Sequence, residues 1–210
     1  QVAGLLNGVT CVIYDGNPGG SKDNPDWGVL WRLASELKVT FFGAGAAFYA
    51  NCQKSGIALA HCGDLARVRA LGTTGSPLSP ETQQWGTEQF RQVRAQYGDL
   101  FGGEDIWWCN ISGGTDFAGA FIGGNRELPQ VPGEMQCRLI GCAVESWNEQ
   151  GQPVHDAVGE LVCVQPIPSM PLYFWNDVDH KRYLASYFDM YPPGHGRRPG
   201  GGDAPVDAGA

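Results

Sequence analysis

Two short glycine-rich stretches combine hydroxyl, amide and carboxylate side chains in an order that suits phosphate and a metal ion. They read LGTTGSPLSPE at residues 71–81 and NISGGTD at residues 110–116. Paired glycines let the backbone turn tightly and let a ligand approach it closely, while a hydroxyl beside a carboxylate suits phosphate and a divalent cation. The alternative is that both stretches are ordinary turns, and GTTGSP lacks the GxxxxGK[ST] pattern of a phosphate-binding loop.

Each stretch follows a segment that is typical of a buried strand. The strand-like segments read VTCVIYD, VTFFGAG, RVRALGTTG and DIWWCNIS, and they lie at residues 9–15, 39–45, 67–75 and 105–112. Trp107 and Trp108 alternate across the last of these, so core packing is the favoured role for both. If the last two strands are neighbours in a parallel sheet, both glycine-rich stretches lie at the edge where such sheets bind ligands.

Helical patterns lie between these strands. The first, PDWGVLWRLASELK, has an apolar face made of Trp27, Leu30, Trp31, Ala34 and Leu37. A second is predicted in AAFYANCQKSG, and Ser79 as N-cap with Pro80 at the first helical position opens a third, SPETQQWGTEQFRQV. Strands and helices that alternate in this way predict an α/β fold with a parallel sheet.

The pattern changes in the last third of the sequence. The segments MQCRLIGCAVESWNEQGQPV and GELVCVQP favour β-strands, whereas the final residues are rich in glycine and proline and have almost no large apolar side chain. We therefore predict an α/β part at residues 1–122, a smaller β-rich part at 123–191 and a disordered tail at 192–210. A slip of the reading frame would explain the composition of that tail.

Composition and charge exclude several classes of function. The chain has 210 residues, 42% of them hydrophobic, so it can bury a sizeable core. Its net charge of -8 argues against binding to nucleic acid or to an anionic membrane. The densest apolar run, residues 39–50, is shorter than the ~18 residues that a membrane span needs, and Gln1 is preceded by no basic leader, which favours an internal start and a cytoplasmic protein.

The seven cysteines give no sign of a metal site or of a disulfide framework. No CxxC pair is present, and the pair His61 and Cys62 has no second pair of ligands at zinc-finger spacing. We expect the cysteines to behave as small buried hydrophobes.

Taken in order, these stretches resemble the adenylate-forming acyl-CoA synthetase family, and most of all its members that activate acetoacetate. The resemblance rests on LGTTGSPLSPE, ISGGTD, GELVCVQPIPSMP and RYLASYFDMYP, and it extends over roughly residues 1–192. It implies a partial parallel sheet with flanking helices from the family's large domain, followed by a smaller β-rich subdomain.

The resemblance also implies roles for individual residues. Gly75, Ser76 and Pro77 match the loop that holds adenine. The segment that walls the adenine and approaches the α-phosphate is matched by Asn110, Ile111, Ser112, Gly113, Gly114 and Thr115. Thr115 and Asp116 are the implied catalytic pair, with Thr115 donating to phosphate and Asp116 in the place of the family's magnesium-binding acid.

Two residues are implied in an acyl pocket. Gly113 stands where acetate-activating members have a tryptophan, which implies a deeper pocket. Thr74 falls where an aliphatic side chain lines the acetate pocket, and its hydroxyl would bond the extra keto oxygen of acetoacetate. The alternative for Thr74 is an ordinary turn threonine.

The implied activity is that of an ATP-dependent acetoacetate–CoA ligase that acts through an acyl-adenylate, with ATP, Mg²⁺ and coenzyme A. The sequence lacks the family's lysine-bearing phosphate loop and its small C-terminal domain, so we expect an inactive fragment that needs the missing domain of the same enzyme. Two alternatives stay open: a fragment of another short-chain acyl-CoA synthetase, and a non-enzymatic remnant that binds nucleotide.

Overall fold

The computed structural model describes residues 2–191, and the predicted tail at 192–210 lies outside the described residues. The chain divides into two compact units. The first, the α/β unit, contains the residues up to Asn110 together with Arg126–Met135. The second, the β unit, contains Ile111–Asn125 and the described residues from Gln136 onward. The domain boundary between residues 122 and 123 that the sequence analysis gives stays a prediction.

A parallel sheet of three strands forms the centre of the α/β unit, as the sequence predicts. The strands are β1 (Phe41–Gly45), β2 (Ala70–Thr74) and β3 (Trp107–Asn110), in the order β1-β2-β3. Both pairs are parallel, with Gly45 opposite Thr74 and Thr73 opposite Asn110. The carboxyl ends of the three strands therefore lie at one edge.

Four α-helices lie among the described residues of this unit. Their bounds are α1 Val2–Leu6, α2 Val29–Glu36, α3 Ala46–Lys54 and α4 Pro80–Tyr97. The predicted start of α4 is confirmed, since the Ser79 side chain accepts a hydrogen bond from the Thr82 backbone N–H at 3.2 Å. The prediction that Leu37 lies on the buried face of the first helical pattern is wrong, because α2 ends at Glu36 and Leu37 is 49% exposed.

The core of the α/β unit is aromatic. Trp31 is fully buried and stacks on Phe42 with ring centroids 4.3 Å apart, and its indole N–H donates to the thiol of Cys52 at 3.4 Å. Tyr49 donates its hydroxyl to the Gly72 carbonyl at 3.0 Å, so its one polar atom is satisfied in the interior. Burial raises the pKa of Tyr49 and raises the pKa of the Cys52 thiol to about 11. Trp108 is buried in the same core, as predicted.

The strand predicted at residues 9–15 is wrong. No strand lies between α1 and β1 in the described chain, and Val9, Val12 and Ile13 are exposed. A strand needs a neighbour that pairs with its backbone N–H and C=O groups, and an apolar run does not by itself supply one. An apolar run of this kind therefore predicts a buried strand correctly only where a neighbouring strand is present to pair with it.

The β unit contains two antiparallel sheets of three strands each, which confirms a β-rich region in the last third of the sequence. One sheet has the order β4-β5-β6, with bounds Ser112–Gly114, Gly119–Gly123 and Cys137–Arg138. The other has the order β8-β7-β9, in which β7 is Val144–Trp147, β8 is Pro153–Val154 and β9 is Glu160–Cys163. Helix α5 (Lys181–Tyr187) follows.

The described helices include no membrane span, and the cysteines form no disulfide. No helix of the described residues is long and apolar enough to cross a membrane. All seven cysteines have free thiols, but only Cys52 and Cys62 are buried and the other five are half-buried. The expectation of buried cysteines is therefore correct for those two alone.

Candidate functional site

The two glycine-rich stretches begin at the same edge of the parallel sheet. β2 ends at Thr74 and continues into Gly75, Ser76 and Pro77, all of them exposed, while the neighbouring β3 ends at Asn110. Gly75 has φ +89°, a left-handed conformation that disfavours other residues, and a Cβ there would meet nothing within 4 Å. The loop after β2 thus has an accessible backbone and open space beside it.

Asn110 is the most constrained of the predicted site residues. It is 8% exposed, and its amide nitrogen donates to Gln83 Oε1 and to the Glu134 carbonyl oxygen, both at 3.1 Å. Its Oδ1 is buried and has no hydrogen-bond partner among residues 2–191. A buried acceptor without a donor is costly, by about 1–3 kcal/mol, so this oxygen is suited to receive a hydrogen bond from a bound group.

Thr73 is a second buried polar residue at this edge, and sequence reasoning missed it. It is 3% exposed, lies opposite Asn110 in the adjacent strand, and its Oγ1 likewise lacks a partner in the described part of the chain. Paired residues of neighbouring strands project from the same face of a sheet, so both unpaired oxygens lie on one face. The signal was the position of this threonine two residues after the buried Leu71, on the same face of the strand.

The hairpin of the β unit contains Gly113 and Gly114. β4 pairs with β5 so that Gly113 lies opposite Ala120 and Gly114 opposite Gly119, with an irregularity between Ser112 and Gly113. A Cβ at Gly113 would come within 2.7 Å of the Ala120 Cα and closer still to the Gly119 carbonyl oxygen. The close approach of the two strands therefore requires glycine at 113, a reason independent of any acyl pocket.

The turn after β4 presents Thr115 and Asp116, both exposed. The Asp116 carboxylate accepts a hydrogen bond from the Tyr187 hydroxyl at the end of α5, and its other oxygen lies so close to the Gly114 Cα that a Cβ there would collide with it. Burial, and then the hydrogen bond to Asp116, raises the pKa of Tyr187 to about 12. Phe117 anchors the turn by stacking on Phe121 with centroids 4.2 Å apart.

The donor set for a metal ion is small. No group of three or more His, Cys, Asp or Glu side chains that could hold a metal occurs in the described part of the chain. Asp116 nevertheless offers exposed carboxylate oxygen, the ligand type that Mg²⁺ prefers, and Mg²⁺ is commonly held by one or two carboxylates and the phosphates of its substrate. The residue fits a cation that arrives with a phosphorylated ligand.

Solved structures define the class of this fold. The chain superimposes on the acetoacetyl-CoA synthetase from Streptomyces lividans with TM-score 0.77 and 42% identity, covering 91% of this chain and 28% of that one. It also matches an anthranilate CoA ligase, solved with anthranoyl-AMP, at TM-score 0.62 and 15% identity over 85% of this chain and 30% of that one, a similarity of fold alone. The fold is that of the adenylate-forming acyl-CoA ligases.

Curated relatives narrow the class further. Acetoacetyl-CoA synthetases from Xenopus tropicalis and Rhizobium meliloti are 34% and 38% identical to this chain over 91% and 90% of its length. The chain is therefore homologous to a segment of the acetoacetyl-CoA synthetases, and it spans only 26% and 27% of those two proteins. No protein-family model matches it.

Proposed function

We propose that this chain is part of an ATP-dependent acetoacetate–CoA ligase. The reaction converts acetoacetate, ATP and coenzyme A into acetoacetyl-CoA, AMP and pyrophosphate through an acyl-adenylate. The observation that carries the proposal is Asn110 Oδ1, which has no hydrogen-bond partner among residues 2–191 and lies at the carboxyl edge of a parallel sheet. The names of the relatives supply the acyl substrate, and a cytoplasmic location is part of the same proposal.

Adenine is recognised at this edge by hydrogen bonding to Asn110. The Oδ1 atom is an acceptor, and the amino group of adenine is a donor, whereas guanine presents a carbonyl oxygen at the same ring position. Gly75, Ser76 and Pro77, which are exposed beside this edge, would contact the base. Because Asn110 is buried, this hydrogen bond would form in a low dielectric, where it discriminates strongly.

The hairpin carries the groups for phosphate and metal. Thr115 would donate its hydroxyl to a phosphate oxygen, the backbone of residues 111–114 would approach the α-phosphate, and Asp116 would hold Mg²⁺. Mg²⁺ held there would supply positive charge to the phosphate oxygens, which would favour attack of the acetoacetate carboxylate on the α-phosphorus with loss of pyrophosphate. The Tyr187 hydroxyl donates to the Asp116 carboxylate and would restrict its orientation when it holds this ion.

The acyl pocket is the part of the proposal that concerns the choice of acid. Thr74 would donate its hydroxyl to the keto oxygen of acetoacetate, which acetate and butyrate lack. Gly113 would leave room for the longer acid. Since a side chain at 113 would collide with β5, the depth of the pocket is better tested at Thr74 than at Gly113.

The proposal is tested in a chimera and in the chain itself. In the chimera, residues 1–191 replace the matching segment of the Streptomyces lividans enzyme, and exchange of pyrophosphate into ATP is measured with acetoacetate, acetate and butyrate. We expect exchange to depend on acetoacetate, and Thr74→Val to reduce its preference over butyrate. Equal use of butyrate would favour another short-chain ligase.

The 210-residue chain alone should bind Mg-ATP weakly. Titration followed by NMR should shift the signals of Asn110 and Asp116. Absence of any shift at millimolar nucleotide would contradict the placement of adenine and metal on these residues.

A further inference from the structure

We infer that Gln83 is a positioning residue: it fixes the orientation of the Asn110 amide and thereby decides which purine base is accepted. The inference rests on the proposed function for the identity of the ligand. Its geometric part, that Gln83 locks the Asn110 amide with the oxygen presented, stands on the α/β unit alone.

Backbone groups determine which amide atom of Gln83 is the oxygen and which amide atom of Asn110 is the nitrogen. The Gly133 N–H, which can only donate, points at Gln83 Oε1 at 3.0 Å, so the atom facing it is an oxygen. The same oxygen lies 3.1 Å from Asn110 Nδ2, and an acceptor there requires the Asn110 group to be the NH₂. The Glu134 carbonyl, which can only accept, takes the second hydrogen at 3.1 Å. The orientation of the amide therefore follows from fixed backbone groups.

The reverse orientation is disfavoured. Turning the Asn110 amide over would place its oxygen against two other acceptors, Gln83 Oε1 and the Glu134 carbonyl, and would break both hydrogen bonds. Gln83 and Asn110 are 3% and 8% exposed, so water does not readily replace the lost partners. The locked orientation leaves Oδ1 as the one group that Asn110 can present.

Gln83 is itself held by its surroundings. It lies in the first turn of α4, which is capped by Ser79. In the same turn, Thr82 donates its hydroxyl to Gln53 Oε1 at 2.8 Å. Gly133 packs against this turn so closely that a Cβ on it would lie 2.8 Å from Pro80 Cγ. The close packing of Gly133 against α4 thus keeps the Gly133 N–H within hydrogen-bond distance of Gln83.

The lock has a consequence for base selection. A purine with an amino group at position 6 gives a hydrogen bond to the presented oxygen, whereas one with a keto group brings a second acceptor against it. Without the Gln83 acceptor, only the Glu134 carbonyl still favours this orientation, so the Asn110 amide turns over more easily and presents NH₂ to a keto purine. Loss of Gln83 should therefore change selectivity, and not only affinity.

The first measurement compares ATP with inosine triphosphate on the 210-residue chain. Gln83→Met removes the acceptor at similar length, and Gln83→Glu keeps an oxygen at that position. Gln84→Met, on the exposed neighbour, is the matched control. We expect the preference for ATP to fall about tenfold in Gln83→Met, the equivalent of one hydrogen bond. Gln83→Glu should restore most of this preference, and Gln84→Met should not change it.

The second measurement needs no nucleotide. Hydrogen exchange of the Asn110 side-chain NH₂, followed by NMR, should be slow in the original chain and in Gln83→Glu, and fast in Gln83→Met. Unchanged exchange in a folded Gln83→Met, or equal weakening of both nucleotides, would overturn the inference. If the original chain binds neither nucleotide, the proposed function fails, and the exchange measurement still decides whether Gln83 positions Asn110.

Discussion

The predicted site residues on the two sides of the peptide bond between Asn110 and Ile111 differ in burial and in the groups that hold them. At the sheet edge, Asn110 and Thr73 are buried, and the donors and acceptors around Asn110 are fixed by backbone groups. In the hairpin, Thr115 and Asp116 are exposed, and the carboxylate is held by one tyrosine hydroxyl. Buried amides suit the discrimination of a neutral base, whereas an exposed carboxylate is within reach of a hydrated ion.

The largest effect is expected where charge acts on the reaction. Asp116→Asn in the chimera should slow pyrophosphate exchange by about a hundredfold or more, because the lost charge acts on the metal that stabilises the phosphate oxygens. Binding of ATP to the 210-residue chain should change much less. Exchange at the unmodified rate would show that the carboxylate is only a structural part of the turn.

The second largest effect is expected on stability, and it should differ between the hairpin and the parallel sheet. Gly113→Ala should lower the free energy of unfolding by about 1–3 kcal/mol, because the new methyl group collides with the β5 backbone. Gly45→Ala is the matched control, since its Cβ would lie 3.8 Å from the Thr74 carbonyl oxygen, in ordinary contact. Chemical denaturation measures both, and equal effects would mean that the strands of the hairpin can separate at little cost.

Removing an unpaired group from the sheet edge should have a smaller effect, with the opposite sign. Thr73→Val replaces a buried hydroxyl that lacks a partner among the described residues, so it should raise the free energy of unfolding by up to about 1 kcal/mol. Denaturation under the same conditions provides the test. A clear loss of stability would reveal that the hydroxyl has a partner, such as a bound water.

The smallest change concerns the tyrosine that contacts Asp116. The folded-state pKa of Tyr187 is raised to about 12, so the stability linked to it is fully present below its ordinary pKa of about 10 and is lost between about pH 10 and 12. Asp116→Asn should lower this pKa without returning it to 10, because burial is the larger cause. NMR titration of Tyr187 measures the shift, and an unchanged value would exclude the hydrogen bond.

Local patterns predicted the elements better than the contacts of the site. Ser79 and Pro80 predicted the start of α4 by their own chemistry, and the alternation of strands and helices was enough to predict a parallel sheet. The sequence did not predict that β2 lies beside β3, which was only a condition of the argument. By contrast, the strand predicted at residues 9–15 is absent because the apolar run has no neighbouring strand to pair with. Partners are a property of the whole fold, and no short pattern specifies them.

The missed contacts join residues far apart in the chain. Gln83 lies 27 residues from Asn110 and 50 from Gly133, and Tyr187 lies 71 residues from Asp116. The sequence predicted functional roles for Asn110 and Asp116 through the motif that contains them. It contained no local signal for the glutamine and the tyrosine that orient them, since each looks like an ordinary helical residue.

The Cys52 thiol can serve as a natural probe for transient opening of the aromatic core of the α/β unit. With its pKa raised to about 11 by burial, this thiol is almost entirely protonated at neutral pH, and the protonated form does not react with alkylating reagents. Alkylation at Cys52 therefore proceeds only as fast as the packing around Trp31 comes apart. Mass spectrometry of the labelled chain would time this event, and slower labelling with ATP present would report ligand binding as protection of a site remote from the nucleotide.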